Sequence, residues 1–142
     1  MIDYTEEQGF DFEKEVNKLY PDKAKKVYKT TLKKVYNESD IKTRGVSTEE
    51  TRQKGVYALY ENGELKKIGK ASDKNGVFHR VSSYYRGKKD GTKWIKKKNR
   101  EDIEIQYFHL EKVEECWYAE RKLQTLAYEK GEEMPWEDKT RN

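Results

Sequence analysis

An acidic residue stands among the apolar positions of the longest helix that the sequence predicts. Residues 112–130 have the apolar period of a helix, and Glu120 falls within the apolar arc of its helical wheel, whereas Glu114 and Glu129 fall on the polar side. A carboxylate that faces a core is costly unless a cation, a metal or hydrogen bonds compensate its charge. Glu120 is therefore either one partner of a buried ion pair or a metal ligand.

Arg80 and Tyr84 form a second candidate pair. Residues 76–87 (GVFHRVSSYYRG) predict a helix bounded by glycines, and residues four apart in a helix are neighbours on one face. Arginine can hold a phosphate with two parallel hydrogen bonds, and a tyrosine beside it can donate a third. Because this spacing is also common by chance, the pair alone does not define a site.

A predicted β-hairpin precedes that helix. The segments GVYALY and LKKIGK are strand-like and flank Asn62-Gly63, a pair that favours a hairpin turn. A two-residue turn would place Tyr57 opposite Ile68. A three-residue loop would place Tyr57 opposite Lys67.

We expect the three-residue loop, because it gathers a coherent apolar set on the other face of the hairpin. The members of that set are Val56, Ala58, Tyr60 and Ile68.

The remaining elements complete an α+β fold. Residues 10–20 and 23–37 have helical spacing, and residues 103–110 alternate like a strand. We expect a small three-stranded antiparallel sheet flanked by helices at 54–142, and an N-terminal helical extension at 1–53.

The basic residues are concentrated in the middle of the chain. Residues 51–100 hold 15 Lys and Arg against 4 Asp and Glu, a net charge of +11, while the whole chain carries only +4. Such a concentration of positive charge suggests a polyanionic partner, most simply nucleic acid. The alternative is a basic surface that only faces solvent. The candidate substrate-binding residues are Lys70, His79, Arg86, Lys93, Lys96 and Lys97.

The composition of the sequence indicates where in the cell the protein is located. No apolar run approaches the length of a membrane span, the N-terminus has no recognisable export signal, and the single cysteine, Cys116, cannot form an internal disulfide. We therefore expect a soluble protein of the cytoplasm.

In combination, these motifs resemble the GIY-YIG nuclease family. The resemblance covers roughly residues 54–136 and consists of Gly55-Val56-Tyr57, then Lys67-Ile68-Gly69, then Arg80 and the later Glu120. In that family the two tripeptides form a hairpin, one helix presents an arginine, and a later helix presents a glutamate that binds one divalent cation.

The sequence departs from the usual family pattern at three places. Lys67 replaces the second motif tyrosine and Tyr84 replaces a common histidine, as in a similar minority branch of the family's restriction enzymes. Glu137 follows Pro135-Trp136 where the family often has an asparagine.

The resemblance implies a metal-dependent DNA endonuclease, with a role for each site residue. Tyr57 would be the general base and Lys67 would favour its phenolate form. Arg80 would hold the scissile phosphate and Tyr84 would hydrogen-bond to it. Glu120 would hold one Mg²⁺ or Mn²⁺ ion per active site.

The biological context stays open at this point. A restriction, phage or mobile-element nuclease fits the resemblance, and a homodimer would supply two active sites for the two strands of a duplex. The alternatives are a non-cleaving DNA-binding domain on the same scaffold and a small interaction protein whose basic centre docks an acidic partner.

Overall fold

The computed structural model describes residues 9–22, 25–39, 53–72, 76–86 and 94–137. These residues form a four-stranded antiparallel sheet with the strand order β1-β4-β2-β3 and helices on both faces, which confirms the predicted α+β class. In chain order the elements are α1 (Phe12–Leu19), β1 (Tyr28–Thr31), α2 (Leu32–Ser39), β2 (Gly55–Glu61), β3 (Glu64–Ala71), α3 (Gly76–Arg86), β4 (Ile103–His109) and α4 (Val113–Glu129).

The fourth strand, β1, lies where the sequence predicted a continuous helix over residues 23–37, so that prediction was wrong in its first half. Tyr28 pairs with Tyr107 of β4, and their rings stack with centroids 5.0 Å apart. The hydroxyl of Thr31 then accepts a hydrogen bond of 3.1 Å from the amide of Lys34, which caps α2. The helical spacing was misleading because β1 is held by its pairing with β4, a strand more than 70 residues away in the sequence.

The described part of residues 1–53 therefore contributes a strand to the same sheet. Phe12 and Val16 of α1 are fully buried, and Glu15 of α1 forms an ion pair of 3.1 Å with Lys130 just beyond α4. The division of the chain at residue 54 stays a prediction.

The hairpin of β2 and β3 turns on two residues, so the expected three-residue loop was wrong. Asn62 and Gly63 have φ angles of 53° and 79°, as a two-residue turn of the primed type requires. The register then shifts at Lys66, which has no partner across the hairpin. Because of this bulge, Tyr57 lies opposite Gly69, and Lys67 lies opposite Leu59.

The sheet separates two apolar clusters. On one face Tyr57, Leu59 and Ala71 pack with residues of α2 and α3, and on the other face the strands pack with α1 and α4. The strand residues of this second face include Val56, Ala58 and Ile68, with Tyr60 packed against them, as the sequence predicted. Glu120 of α4 is 4% exposed, which agrees with its predicted inward position.

Within the described ranges, no helix is long and apolar enough to cross a membrane.

The Thr31 cap predicts a measurable loss of stability. Thr31→Ala should lower the free energy of unfolding by about 1 kcal/mol in urea denaturation, because the Lys34 amide loses its acceptor. Thr31→Ser keeps the oxygen and should retain most of the stability. Equal stability of the two variants would show that the cap contributes nothing.

Candidate active site

Tyr57 lies at the centre of the candidate site. It projects from β2 on the face covered by α3, and only 1% of its surface is exposed. Its hydroxyl is 2.7 Å from the hydroxyl of Tyr84 on α3, and the two rings meet edge to face at 6.0 Å. The two tyrosines thus form a buried hydrogen-bonded pair, and burial makes that bond costly to lose.

Gly69 makes room for the Tyr57 ring. A Cβ atom at position 69 would lie 2.5 Å from the Tyr57 hydroxyl oxygen and 2.6 Å from the ring carbon that bears it. Gly55 has a similar role between strands, since a Cβ atom there would collide with the carbonyl oxygen of Phe108. The two motif glycines are therefore required by close approach in this fold.

Arg80 and Glu120 are close enough to Tyr57 to act on its ionisation. Burial is the main cause that raises the pKa of Tyr57 well above 10, and neighbouring Tyr84 and Glu120 raise it further. Arg80 opposes this shift with its positive charge. Strand β3 lies at the edge of the sheet, where helix α3 packs on one face and helix α4 on the other. Side chains of both helices can therefore contribute to the same site.

Arg80 has unused hydrogen-bonding capacity. Its Nε atom is buried and has no hydrogen-bond partner among the described residues. A guanidinium N–H that is withdrawn from water without an acceptor is costly, and a bound anion such as a phosphate would satisfy it.

Among the described residues, Glu120 is the carboxylate whose charge acts on Tyr57. In the described parts of the chain no group of three or more His, Cys, Asp and Glu side chains could hold a metal ion. A single buried carboxylate still fits a hard cation such as Mg²⁺, because this ion keeps several waters and takes further oxygen ligands from phosphate groups.

Lys67 is on the same face of the hairpin as Tyr57 but diagonal to it, not opposite as the sequence predicted. Its ammonium group forms an ion pair of 3.2 Å with Glu137, and the two side chains are only 13% and 8% exposed. The cation that lowers the pKa of Tyr57 is Arg80, whereas the charge of Lys67 is taken up by Glu137.

Glu137 belongs to a set of contacts that sequence reasoning missed. Its carboxylate also accepts a hydrogen bond of 2.9 Å from the amide of Ile68 and one of 3.1 Å from Gln124. Gln124 in turn donates to the carbonyl of Ile68 at 2.8 Å, and the amide of Trp136 donates to the carbonyl of Lys66 at 3.0 Å. We call this set the β3 clasp.

The β3 clasp fastens the outer edge of β3 beside Gly69. The available sequence signal is the acid after Pro135-Trp136, at a place where the GIY-YIG pattern often has an asparagine. A buried lysine on a strand needs an anionic partner, and this argument would have pointed to Glu137.

The predicted substrate-binding residues are only partly brought together. Arg86, Lys96 and Lys97 are exposed, and Lys70 is half-buried beside Trp117. Lys93 and the side chain of His79 lie outside the described residues.

The segment that carries Lys96 and Lys97 is held in place by Asn99. The Asn99 side chain accepts from the amide of Lys96 at 2.7 Å and donates to Glu61 at the end of β2 at 3.0 Å. It also donates to the carbonyl of Trp94 at 2.9 Å. These bonds present two lysines on an ordered turn, which lowers the entropic cost of binding an anion there.

Comparison with solved structures finds a likeness to GIY-YIG endonuclease domains. Three such structures are of the N-terminal endonuclease domain of UvrC from Thermotoga maritima, each a point mutant bound to its catalytic divalent cation. Two of them show 17% sequence identity and the third 18%, and all three have a TM-score of 0.46 and cover 63% of this chain and 88% of that domain. No protein-family model matches the sequence, and no curated protein is significantly similar to it.

The close packing of Tyr57 against Gly69 predicts that substitutions at these two positions are coupled in their effect on stability. Gly69→Ala should destabilise the protein by about 1–3 kcal/mol, because the new methyl group overlaps the tyrosine ring. In a Tyr57→Leu background the same change should cost much less. A urea denaturation cycle measures this difference, and an equal cost in both backgrounds would contradict the proposed contact.

The ion pair of the β3 clasp predicts that substitutions of Lys67 and Glu137 are also coupled in their effect on stability. Lys67→Met should destabilise the protein by about 3 kcal/mol, because it leaves the Glu137 carboxylate without its cation. Lys67→Met combined with Glu137→Gln should recover part of that loss, since no unpaired charge remains. Strictly additive losses in the double-mutant cycle would exclude the pairing.

Proposed function

We propose that this protein is a metal-dependent DNA endonuclease that hydrolyses phosphodiester bonds at a site of the GIY-YIG type. The observation that carries the proposal is the convergence of Tyr57, Tyr84, Arg80 and Glu120 around one edge of the sheet. Two phenols, a guanidinium with an unsatisfied N–H and a buried carboxylate are groups that phosphodiester hydrolysis uses.

Arg80 and Tyr84 are assigned to the phosphate. The free Nε–H of Arg80 would donate to a phosphate oxygen, and its charge would stabilise the extra negative charge of the transition state. Tyr84 keeps Tyr57 in place through the bond between their hydroxyl groups. While Tyr57 is the donor in that bond, the Tyr84 hydroxyl would donate its own proton to a phosphate or water oxygen; once Tyr57 has lost its proton, Tyr84 would donate to Tyr57 instead.

Tyr57 is assigned to the attacking water. Its hydroxyl oxygen would accept a proton from that water as general base once the phenol has lost its own proton. Burial opposes this ionisation and the charge of Arg80 favours it, so a bound substrate and cation decide the balance. Lys67 acts here as a positioning residue through the β3 clasp, in place of the catalytic role predicted from the sequence.

Glu120 is assigned to the metal. It would hold one Mg²⁺ or Mn²⁺ ion, which when bound supplies Lewis-acid stabilisation of the leaving oxygen. The Glu120 side chain is buried on α4, which restricts the positions from which it would hold that ion.

The basic residues of the middle of the chain are assigned to the DNA backbone. Lys70, Arg86, Lys96 and Lys97 are the described members, and Asn99 holds the turn that presents two of them. His79 and Lys93 complete the predicted set. A restriction, phage or mobile-element role in the cytoplasm, with a homodimer cutting the two strands, remains part of this proposal.

The second candidate is a DNA-binding domain that does not cut. The neutralisation of Lys67 by Glu137 favours it, because the ammonium group expected to favour the Tyr57 phenolate is occupied elsewhere. Both candidates predict DNA binding that weakens steeply with salt, and only the first predicts strand cleavage.

A plasmid-nicking assay with Mg²⁺ or Mn²⁺ tests the proposed function. The wild-type protein should nick supercoiled DNA and stop when EDTA removes the metal. Glu120→Ala should reduce the rate at least about 100-fold, because the single protein ligand is lost.

Glu114→Ala is the matched control, since Glu114 is an exposed carboxylate on the same helix. It should cleave like the wild type. Undiminished cleavage by Glu120→Ala would refute the metal assignment. Salt-sensitive DNA binding by the wild type without any cleavage would favour the second candidate.

A further inference from the structure

Trp117 on α4 is an aromatic side chain that the assigned site does not use. Half of its surface, 50%, is exposed. The buried side of α4 is formed instead by Cys116, Ala119, Glu120, Leu123 and Ala127. A half-exposed indole keeps part of a large aromatic surface in water, where a flat ligand can reach it.

One lysine contacts this indole, and a second lysine lies on the same face of the hairpin. The Lys70 ammonium lies 3.9 Å from the centre of the Trp117 ring, within the range of a cation–π contact. Val56 pairs with Lys70 across the hairpin, and Lys54 precedes Val56 by two residues, so Lys54 and Lys70 belong to the same face of the hairpin. One face of the half-exposed indole is therefore in contact with the Lys70 ammonium, and Lys54 lies near Lys70 on the hairpin.

This cluster adjoins the candidate active site along the chain. Trp117 precedes Glu120 by three residues, which makes them neighbours on α4. Lys70 follows Gly69 directly, and Lys54 precedes Gly55. A DNA strand whose phosphate is held by Arg80, next to a metal ion on Glu120, would thus extend towards the indole and the two lysines.

We propose that Trp117, Lys70 and Lys54 form a nucleotide subsite that stacks one unpaired base of the DNA substrate and binds the adjoining phosphates. The inference rests on the proposed function and adds a substrate class to it. A base offers its flat face to an indole only when it is unstacked, so the preferred DNA has unpaired nucleotides next to the cleavage position. The ammonium groups complement the phosphates on either side of that base.

Binding of short oligonucleotides tests the subsite without cleavage. The probes are a fluorescent oligothymidine and an abasic sugar-phosphate chain of equal length, measured by anisotropy in EDTA at one low salt concentration. The wild-type protein should bind oligothymidine more tightly than the abasic chain. Trp117→Ala should weaken oligothymidine binding about 5- to 100-fold and leave abasic binding unchanged, because only the base stacks.

Three further variants sharpen the comparison. Trp117→Phe keeps an aromatic face and should retain most of the oligothymidine affinity. Lys70→Met should weaken both probes, since it removes a phosphate contact. Tyr118→Ala is the matched control, because Tyr118 is the adjacent residue of α4, is 60% exposed, and should not change either affinity.

Several results would overturn the subsite. They are equal binding of the two probes by the wild type, a loss in Trp117→Ala that is the same for both probes, and no loss in Trp117→Ala. Plasmid cleavage by the wild type together with any of these would leave the endonuclease standing and refute the subsite. If Trp117→Ala instead loses affinity only for oligothymidine and the wild type does not cleave plasmid, the subsite would stand and the endonuclease would be refuted.

Discussion

The site depends on one close approach, that of the Tyr57 ring to the backbone of β3. The ring fills the space in which a Cβ atom at position 69 would lie, so strand and side chain must keep a fixed separation. That separation also sets the position of the Tyr57 hydroxyl, and through it the bond to Tyr84 on α3. Interiors packed at this density do not absorb small displacements smoothly, so a shift of β3 would be passed on to both phenols.

The position of β3 is in turn fixed by residues far away in sequence. β3 is an edge strand, and its outer amide and carbonyl at Ile68 are satisfied by the side chains of Glu137 and Gln124. Side chains thus replace the missing neighbouring strand beside the candidate site. Lys67 balances the charge that this arrangement brings into a poorly hydrated place.

The sequence predicted the parts of this structure that depend on local pattern. The hairpin, the helix with Arg80 and Tyr84, and the inward direction of Glu120 all followed from periodicity. The register of the β2–β3 hairpin did not follow from periodicity. A bulge at Lys66 adds one residue to β3, and no local sequence pattern indicated it. β1 was missed for a related reason, since its pairing with β4 is a contact between segments more than 70 residues apart. The partner of Lys67 was likewise a distant residue.

The β3 clasp has a further consequence for how molecules of this protein meet one another. An uncovered strand edge is a template for pairing with another chain, and a sheet with two such edges can assemble without limit. Here the side chains of Glu137 and Gln124 and the backbone of Trp136 occupy one edge, which leaves β1 as the edge strand on the other side of the described sheet. Edge-to-edge pairing through β1 would therefore end at two molecules, so the contacts that hold β3 at the candidate site would also oppose fibrous growth.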